Sequence, residues 1–245
     1  MNLAIMIGRA GSKGFPGKNI KKINNKRLCE YPLIAASKSK LIDEIYVSTD
    51  CPVIKKIAKK YKCNLIDRPR GLSGSKALGD HVFEHAYFEV KKKINKKIDF
   101  VILLFANAPL VTSKMIDEGI YKLKKNKKAD SAVSASVYNM WSPLRARKLD
   151  KNGFLKPFVP FKTFGNPKTL NCDRDSQGSV FFADMSVSVV KPKCLEKLKY
   201  GLLPQKWMGK NILPIKCDGG LDIDYEWQVP QINYLLKKNG KKSSR

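Results

Sequence analysis

Residues 3 to 7 (Leu-Ala-Ile-Met-Ile) form an unbroken apolar run that stops at Gly8. A run apolar on both faces suits a strand in the middle of a parallel sheet, covered from two sides. Downstream, helical and strand periods alternate. "LCEYPLIAASKS" predicts a helix with Pro32 in its first turn, and "EIYVSTD" a strand. "PVIKKIAKKYK" predicts an amphipathic helix, "NLIDRP" a short strand and "ALGDHVFEHAYFEVKKK" a further helix. "DFVILLFA" is the most apolar strand of the chain, followed by "SKMIDEGIYKLKKN" as a helix and "DSAVSASVY" as a strand. Alternation at this spacing predicts an α/β fold, a Rossmann-like and mostly parallel sheet with helices on both faces. Ligands of such sheets bind beyond the carboxyl ends of the strands, where residues 8 to 19 fall.

The rhythm breaks near residue 141. From there to about residue 178 the chain is rich in proline, glycine and aromatics without a helical period, which predicts hairpins and loops that leave the main sheet. It is too long for an idle connection. "SVFFADMSVSVVKP" and "KNILPIKC" return as strands, and "IDYEWQVPQINYLLKKN" predicts a closing helix interrupted or kinked near Pro230. The expected organisation is one domain over residues 1–240, with an excursion at about 141–178 and a frayed tail at 241–245. At 245 residues and 43% hydrophobic, the chain has enough apolar material for a sizeable core.

The formal net charge of +27 raises the question of nucleic acid, because lysine and arginine neutralise phosphates. The excess is mostly lysine, in runs such as "KKINNK", "KKIAKKYK" and "KLKKNKK" spread along the chain at helix ends and turns. No single stripe interleaved with aromatics emerges, so no specific nucleic-acid partner is expected. A basic nucleic-acid-binding protein is nevertheless the rival reading from another functional class. No apolar run approaches the roughly 18 residues of a membrane span, and the apolar start is too short for a signal peptide. No membrane partner and a cytoplasmic location are expected. The six cysteines (Cys29, Cys51, Cys63, Cys172, Cys194, Cys217) contain no CxxC pair, which speaks against a zinc site or a disulfide framework.

Candidate chemistry gathers first in "IMIGRAGSKGFPGKN", residues 5 to 19. Gly8, Gly11, Gly14 and Gly17 allow backbone N–H groups to converge, while Arg9, Lys13 and Lys18 add cations, the makings of a phosphate cradle. The loop matches neither GxxxxGK[ST] nor GxGxxG. Further polar clusters follow at Ser48 to Asp50, at Arg68, at Arg145 and Arg147, at Arg174 and Gln177, and at Asp222 and Asp224. Taken alone, the last pair reads as carboxylates capping a helix near Tyr225. Together with a basic cradle, it points to a polyphosphate held by Lys and Arg and bridged by Mg²⁺ to aspartates.

With these clusters in this order, the chain resembles the acylneuraminate cytidylyltransferases, the CMP-sialic acid synthetase family. The opening Arg-x-x-Ser-Lys-Gly and Lys-Asn elements of that family are matched by Arg9, Ser12, Lys13, Gly14, Lys18 and Asn19. "VSTD", Arg68 with Pro69, "PLR" at 143–145, Arg174 with Gln177 and Gly178, and the late "DID" fall in the family's order. The resemblance implies transfer of CMP from CTP to a hydroxyl of an anionic acceptor, an acid sugar, with release of pyrophosphate, in surface glycan biosynthesis. It implies a nucleotide site of Gly8, Arg9, Gly11, Ser12, Lys13, Lys18, Asn19 and Arg68. Arg9, Lys13 and Asp222 would be catalytic, and Asp222 and Asp224 would hold Mg²⁺. The acceptor would meet Phe105, Asn107, Arg145, Arg174 and Gln177. The excursion would be a β-rich dimerisation element of a homodimer.

The departures from the family pattern concern the acceptor. Where relatives carry a "QPTSPLR"-like stretch, this chain has "FANAPLV", with Phe105 for a glutamine and Val111 for an arginine. A 3-deoxy-octulosonate-like sugar or a phosphonate is therefore an alternative acceptor. His81 and His85, four residues apart on one helix, lack a third ligand at suitable spacing and read as surface or packing residues. Trp141, Trp207 and Trp227 read as core or dimer contacts.

Overall fold

A computed structural model describes residues 1–243 apart from 75, 172, 174–177 and 221. Strand β1 (Asn2–Ile7) is buried throughout. After the glycine loop come a small hairpin, β2 (Lys22–Ile23) and β3 (Lys26–Arg27), helix α1 (Glu30–Lys38), strand β4 (Glu44–Ser48), helix α2 (Pro52–Lys60) and strand β5 (Asn64–Ile66). Then follow α3 (Gly79–Lys91), β6 (Phe100–Phe105), α4 (Ser113–Lys125) and β7 (Ser131–Val137). The excursion contributes the hairpin β8 (Arg147–Leu149) and β9 (Leu155–Pro157), and β10 (Phe181–Val190), α5 (Lys193–Glu196), β11 (Ile212–Cys217) and α6 (Val229–Ser243) complete the chain.

The seven-stranded sheet runs β11-β7-β10-β6-β1-β4-β5. All neighbours pair in parallel except around β10, which is antiparallel to both β6 and β7. Local chemistry explains the elements. Helix α2 starts with Pro52 and buries Ile54, Ile57 and Ala58 while its lysines face outward. The Thr112 side chain accepts from Met115 N to cap α4, and Lys122, Lys124 and Lys125 sit at its carboxyl end. β11 carries Pro214, tolerated because the strand is at the sheet edge.

Helices α1, α2 and α4 cover one face of the sheet, over a core that includes Leu33, Ile54, Ile102, Ile116 and Val187. α3 and α5 cover the other face with Phe83, Tyr87, Leu103, Leu195 and Trp207. A third, small core of Phe15, Ile23, Leu28, Leu110, Ile223 and Ile232 ties the glycine loop to the chain entering α6. Pro230 lies in the first turn of α6, so the interruption or kink expected near it takes the form of an interruption: a 3-10 turn over Glu226–Gln228 gives way to the helix, whose first-turn N–H has no helical acceptor to lose. At the neck of the excursion the two chain ends meet: Phe181 pairs with Val137, Tyr138 N donates to Val180 O at 2.9 Å, and Val180 N donates to Asn139 Oδ1 at 2.9 Å. Among the described residues no helix is long and apolar enough to cross a membrane, and the described cysteines are free.

Candidate functional site

The carboxyl ends of β1 and β6 lie side by side where the chain reverses its direction of growth across the sheet, the position at which such sheets open a crevice. A cleft of about 240 Å³ opens there. Arg9, Lys18, Asn19, Arg68, Asp222 and Asp224 form its polar side, and Leu72, Ala77, Val82 and Phe105 an apolar side. Gly8 begins the loop because the backbone passes close to β6: a Cβ there would fall 2.6 Å from the Ala106 Cβ. Gly14 is pressed against the aspartate segment, with a Cβ position 2.9 Å from Asp224 O.

The loop is fixed at several points. Ala10 N donates to Asp50 Oδ1 at 2.8 Å, and Arg9 donates through a guanidinium nitrogen to Gly74 O at 3.1 Å. Asn19 Nδ2 donates to Arg9 O at 2.9 Å, while its buried Oδ1 has no partner. An orphaned buried acceptor on a cleft wall is a place for a ligand hydroxyl or amine, since leaving it unpaired costs about 1–3 kcal/mol. Arg68 donates to the hydroxyl and carbonyl of Ser48 at the end of β4. Burial lowers its pKa, Asp50 offsets part of this, and Arg9 adds to the lowering.

The carboxylate pair follows from simple alternation. Ile223 is fully buried in the third core and donates its N–H to Asn107 O at 2.9 Å, which turns Asp222 and Asp224 on either side of it toward the cleft. Asn107 Nδ2 lies 3.1 Å from Asp222 Oδ2, 3.0 Å from Ile223 O and 3.5 Å from Asp224 Oδ1. Lys18 forms an ion pair with Asp224. The aspartates do not cap the next helix. Gln228 Oε1 does, accepting from Asp224 N at 2.7 Å and Tyr225 N at 2.8 Å. The Asp222 carboxyl is pushed above its usual range by burial and then by Asp224, against the opposing pull of Lys18 and Asn107. Two carboxylates that repel one another beside a cleft are a donor set suited to a hard divalent cation. No cluster of three or more His, Cys, Asp or Glu residues with metal-holding geometry occurs among the described residues, so solvent and ligand oxygens would complete the shell.

Other expected site residues are placed differently. Lys13 is exposed and Ser12 half-buried on the loop, and Gly11 faces open space; none of the three lines the cleft. Phe105 lines the cleft, packed edge-on to Phe83 and beside Trp207. Val111 lies buried in the core beneath α4, away from the cleft. Arg145 lines a separate cavity of about 280 Å³ inside the excursion, with Arg147 and Phe161. Arg174 and Gln177 lie outside the described residues. His81 is exposed beside Glu84, Trp207 is core, and Trp141 and Trp227 stack on Tyr138 and Tyr225 at the surface. Sequence reasoning missed Gln228, whose position three residues after Tyr225 is a capping spacing, and the apolar wall of Leu72, Ala77 and Val82, which carries no sequence signal.

Residues 3–152 match the family model described as Cytidylyltransferase. The chain belongs to the cytidylyltransferase family. It is 28% identical over 168 residues to a Helicobacter pylori protein, pseudaminic acid cytidylyltransferase and UDP-2,4-diacetamido-2,4,6-trideoxy-beta-L-altropyranose hydrolase, covering 68% of this chain and 31% of that one. It is 31% identical over 237 residues to N-acylneuraminate cytidylyltransferase of Oncorhynchus mykiss, covering 95% of this chain and 50% of that one. The chain thus spans about a third to a half of the length of these curated relatives. In fold it is similar to CMP:2-keto-3-deoxy-manno-octonic acid synthetase complexed with CTP, with a TM-score of 0.68 at 13% identity over 97% of this chain and 99% of that one.

Proposed function

We propose that the chain transfers CMP from CTP to the hydroxyl of an acid sugar. The observation that carries this reading is the cleft itself, in which Arg9, Lys18 and Arg68 oppose the Asp222 and Asp224 pair around the unpartnered Asn19 Oδ1. Arg9 and Lys18, with the exposed Lys13 swinging in from the loop, hold the triphosphate and stabilise charge on the departing pyrophosphate. Asn19 and Arg68 orient the ribose and base. The acceptor oxygen forms a bond to the α-phosphorus as the bond to the bridging oxygen breaks, pyrophosphate leaves, and the hydroxyl proton passes to a carboxylate of the pair. Asp222 and Asp224 would hold Mg²⁺, which supplies charge neutralisation on the phosphates.

Relatives named for pseudaminic and N-acylneuraminic acids support a nine-carbon acid sugar as acceptor. Phe105 gives the acceptor end an apolar wall suited to a deoxygenated or acylated sugar face. The exposed apolar residues of the excursion, Leu149, Phe154, Leu155 and Phe158, support a homodimer formed through it. The test is pyrophosphate release with CTP, Mg²⁺ and a panel of sialic, legionaminic and pseudaminic acids, 3-deoxy-octulosonate and simple phosphonates. Release should require CTP and one acid sugar. Failure to bind CTP, together with steeply salt-dependent binding to any DNA or RNA, would replace this reading with that of a basic binding protein.

A further inference from the structure

Strand β10 is broken by a bulge: its pairing with β7 slips between Ala183 and Ser188, and Met185 has φ of 57°. A left-handed methionine needs something to hold it. Asp184 does so, accepting at Oδ1 from Ser186 N at 3.0 Å and from Ser134 Oγ at 2.5 Å. Its Oδ2 accepts from Ser136 Oγ at 3.0 Å and Cys217 Sγ at 3.1 Å. Donors from three strands therefore converge on one half-buried carboxylate that has no ion pair among the described residues. An apolar or hydroxyl side chain would fill the same place without the cost of desolvating a charge.

The network leads toward the cleft. While donating to Asp184, Ser136 Oγ accepts from Gly220 N at 2.8 Å. Gly220 lies directly on the carboxylate, since a Cβ there would fall 2.1 Å from Asp184 Oδ2. Gly219 turns the chain with φ of 73°, and Asp222 follows two residues after Gly220. We propose that Asp184 is a positioning residue for the carboxylate pair. Through the Ser136 hydroxyl and its contact with Gly220, it fixes where the chain leaves β11, so that Ile223 enters its core and Asp222 and Asp224 face Lys18. The inference rests on the cation-holding role proposed above for that pair.

The test compares the full chain with Asp184→Asn, the milder Ser136→Ala, and the double variant. Amide hydrogen exchange over residues 219–224, Mn²⁺ binding followed by its paramagnetic signal, and pyrophosphate release against Mg²⁺ concentration are measured. Each single variant should speed exchange over residues 219–224 while β1 and β6 stay protected. Each should weaken Mn²⁺ binding by about tenfold, with turnover regained at high Mg²⁺. The double variant should be no worse than the poorer single, because both cut one relay. Unchanged exchange at 219–224, or additive losses with uniform loosening of the whole fold, would overturn the proposal. If Asp222→Asn leaves Mn²⁺ binding by the parent chain intact, the role of the pair fails, and the exchange comparison still decides whether Asp184 sets the loop.

Discussion

Asp222 bears an electrostatic cost that the proposed cation-holding role would explain. Its folded-state pKa is raised, so the folded chain holds the proton more tightly than the unfolded one, and stability is lost as pH rises through that pKa. Asp222→Asn should therefore melt higher than the parent at neutral pH, with the gap closing in acid, while pyrophosphate release is abolished. A lower melting temperature at neutral pH would show that the ionised pair is a structural asset. Asn19→Ala removes both the orphaned acceptor and the Nδ2 bond that holds Arg9 O, so it should weaken CTP binding by at least about tenfold in calorimetric titration and lower stability by about 1 kcal/mol. Arg9 and Lys18 were legible because a basic glycine loop after a buried strand is local chemistry, whereas Asn19, Arg68 and both aspartates came from the family resemblance. All six line one cleft, and the local reading of the aspartates as helix caps gave no sign of it. The placement of Val111 was not legible, since an apolar residue after "NAP" gives no sign of which side of the sheet it enters.

At the scale of elements, the sheet and its helices were legible because period and burial agree, from the apolar β1 to the amphipathic α2. The β2 and β3 hairpin was not anticipated, although Asn24 and Asn25 both take positive φ, the conformation that a two-residue hairpin turn demands. Its lysines hide an alternation only two residues long on each side. The contact of β1 with β6 at the cleft predicts that Gly8→Ala, whose methyl would meet the Ala106 Cβ, costs about 1–3 kcal/mol in denaturant unfolding. Asp130, at the opposite end of β7, is governed by the reverse sign. Burial raises its pKa, but Lys193 and the N–H groups of Asn211 and Lys210 outweigh this and hold it at about 2. Its contribution is present above the unfolded pKa and lost as pH falls toward 2. Asp130→Asn should cost about 2 kcal/mol at neutral pH and almost nothing near pH 2.

For the whole molecule, a net charge of +27 spread over every surface element predicts salt-sensitive sticking to polyanions without sequence preference. A dimer through the excursion must bring such charge together, so it depends on apolar contact. Phe158→Glu with Leu155→Glu should shift the chain to monomer in light scattering while CTP binding persists. The neck at Tyr138 and Val180 gives this excursion the character of a cassette clipped onto the sheet. Entry and exit are adjacent, so a short turn joining them would close β7 and β10 as a plain hairpin and leave the cleft beside β1 and β6 untouched. The excursion can therefore be exchanged without refolding its host, and a protein engineer has one suture line at which to graft.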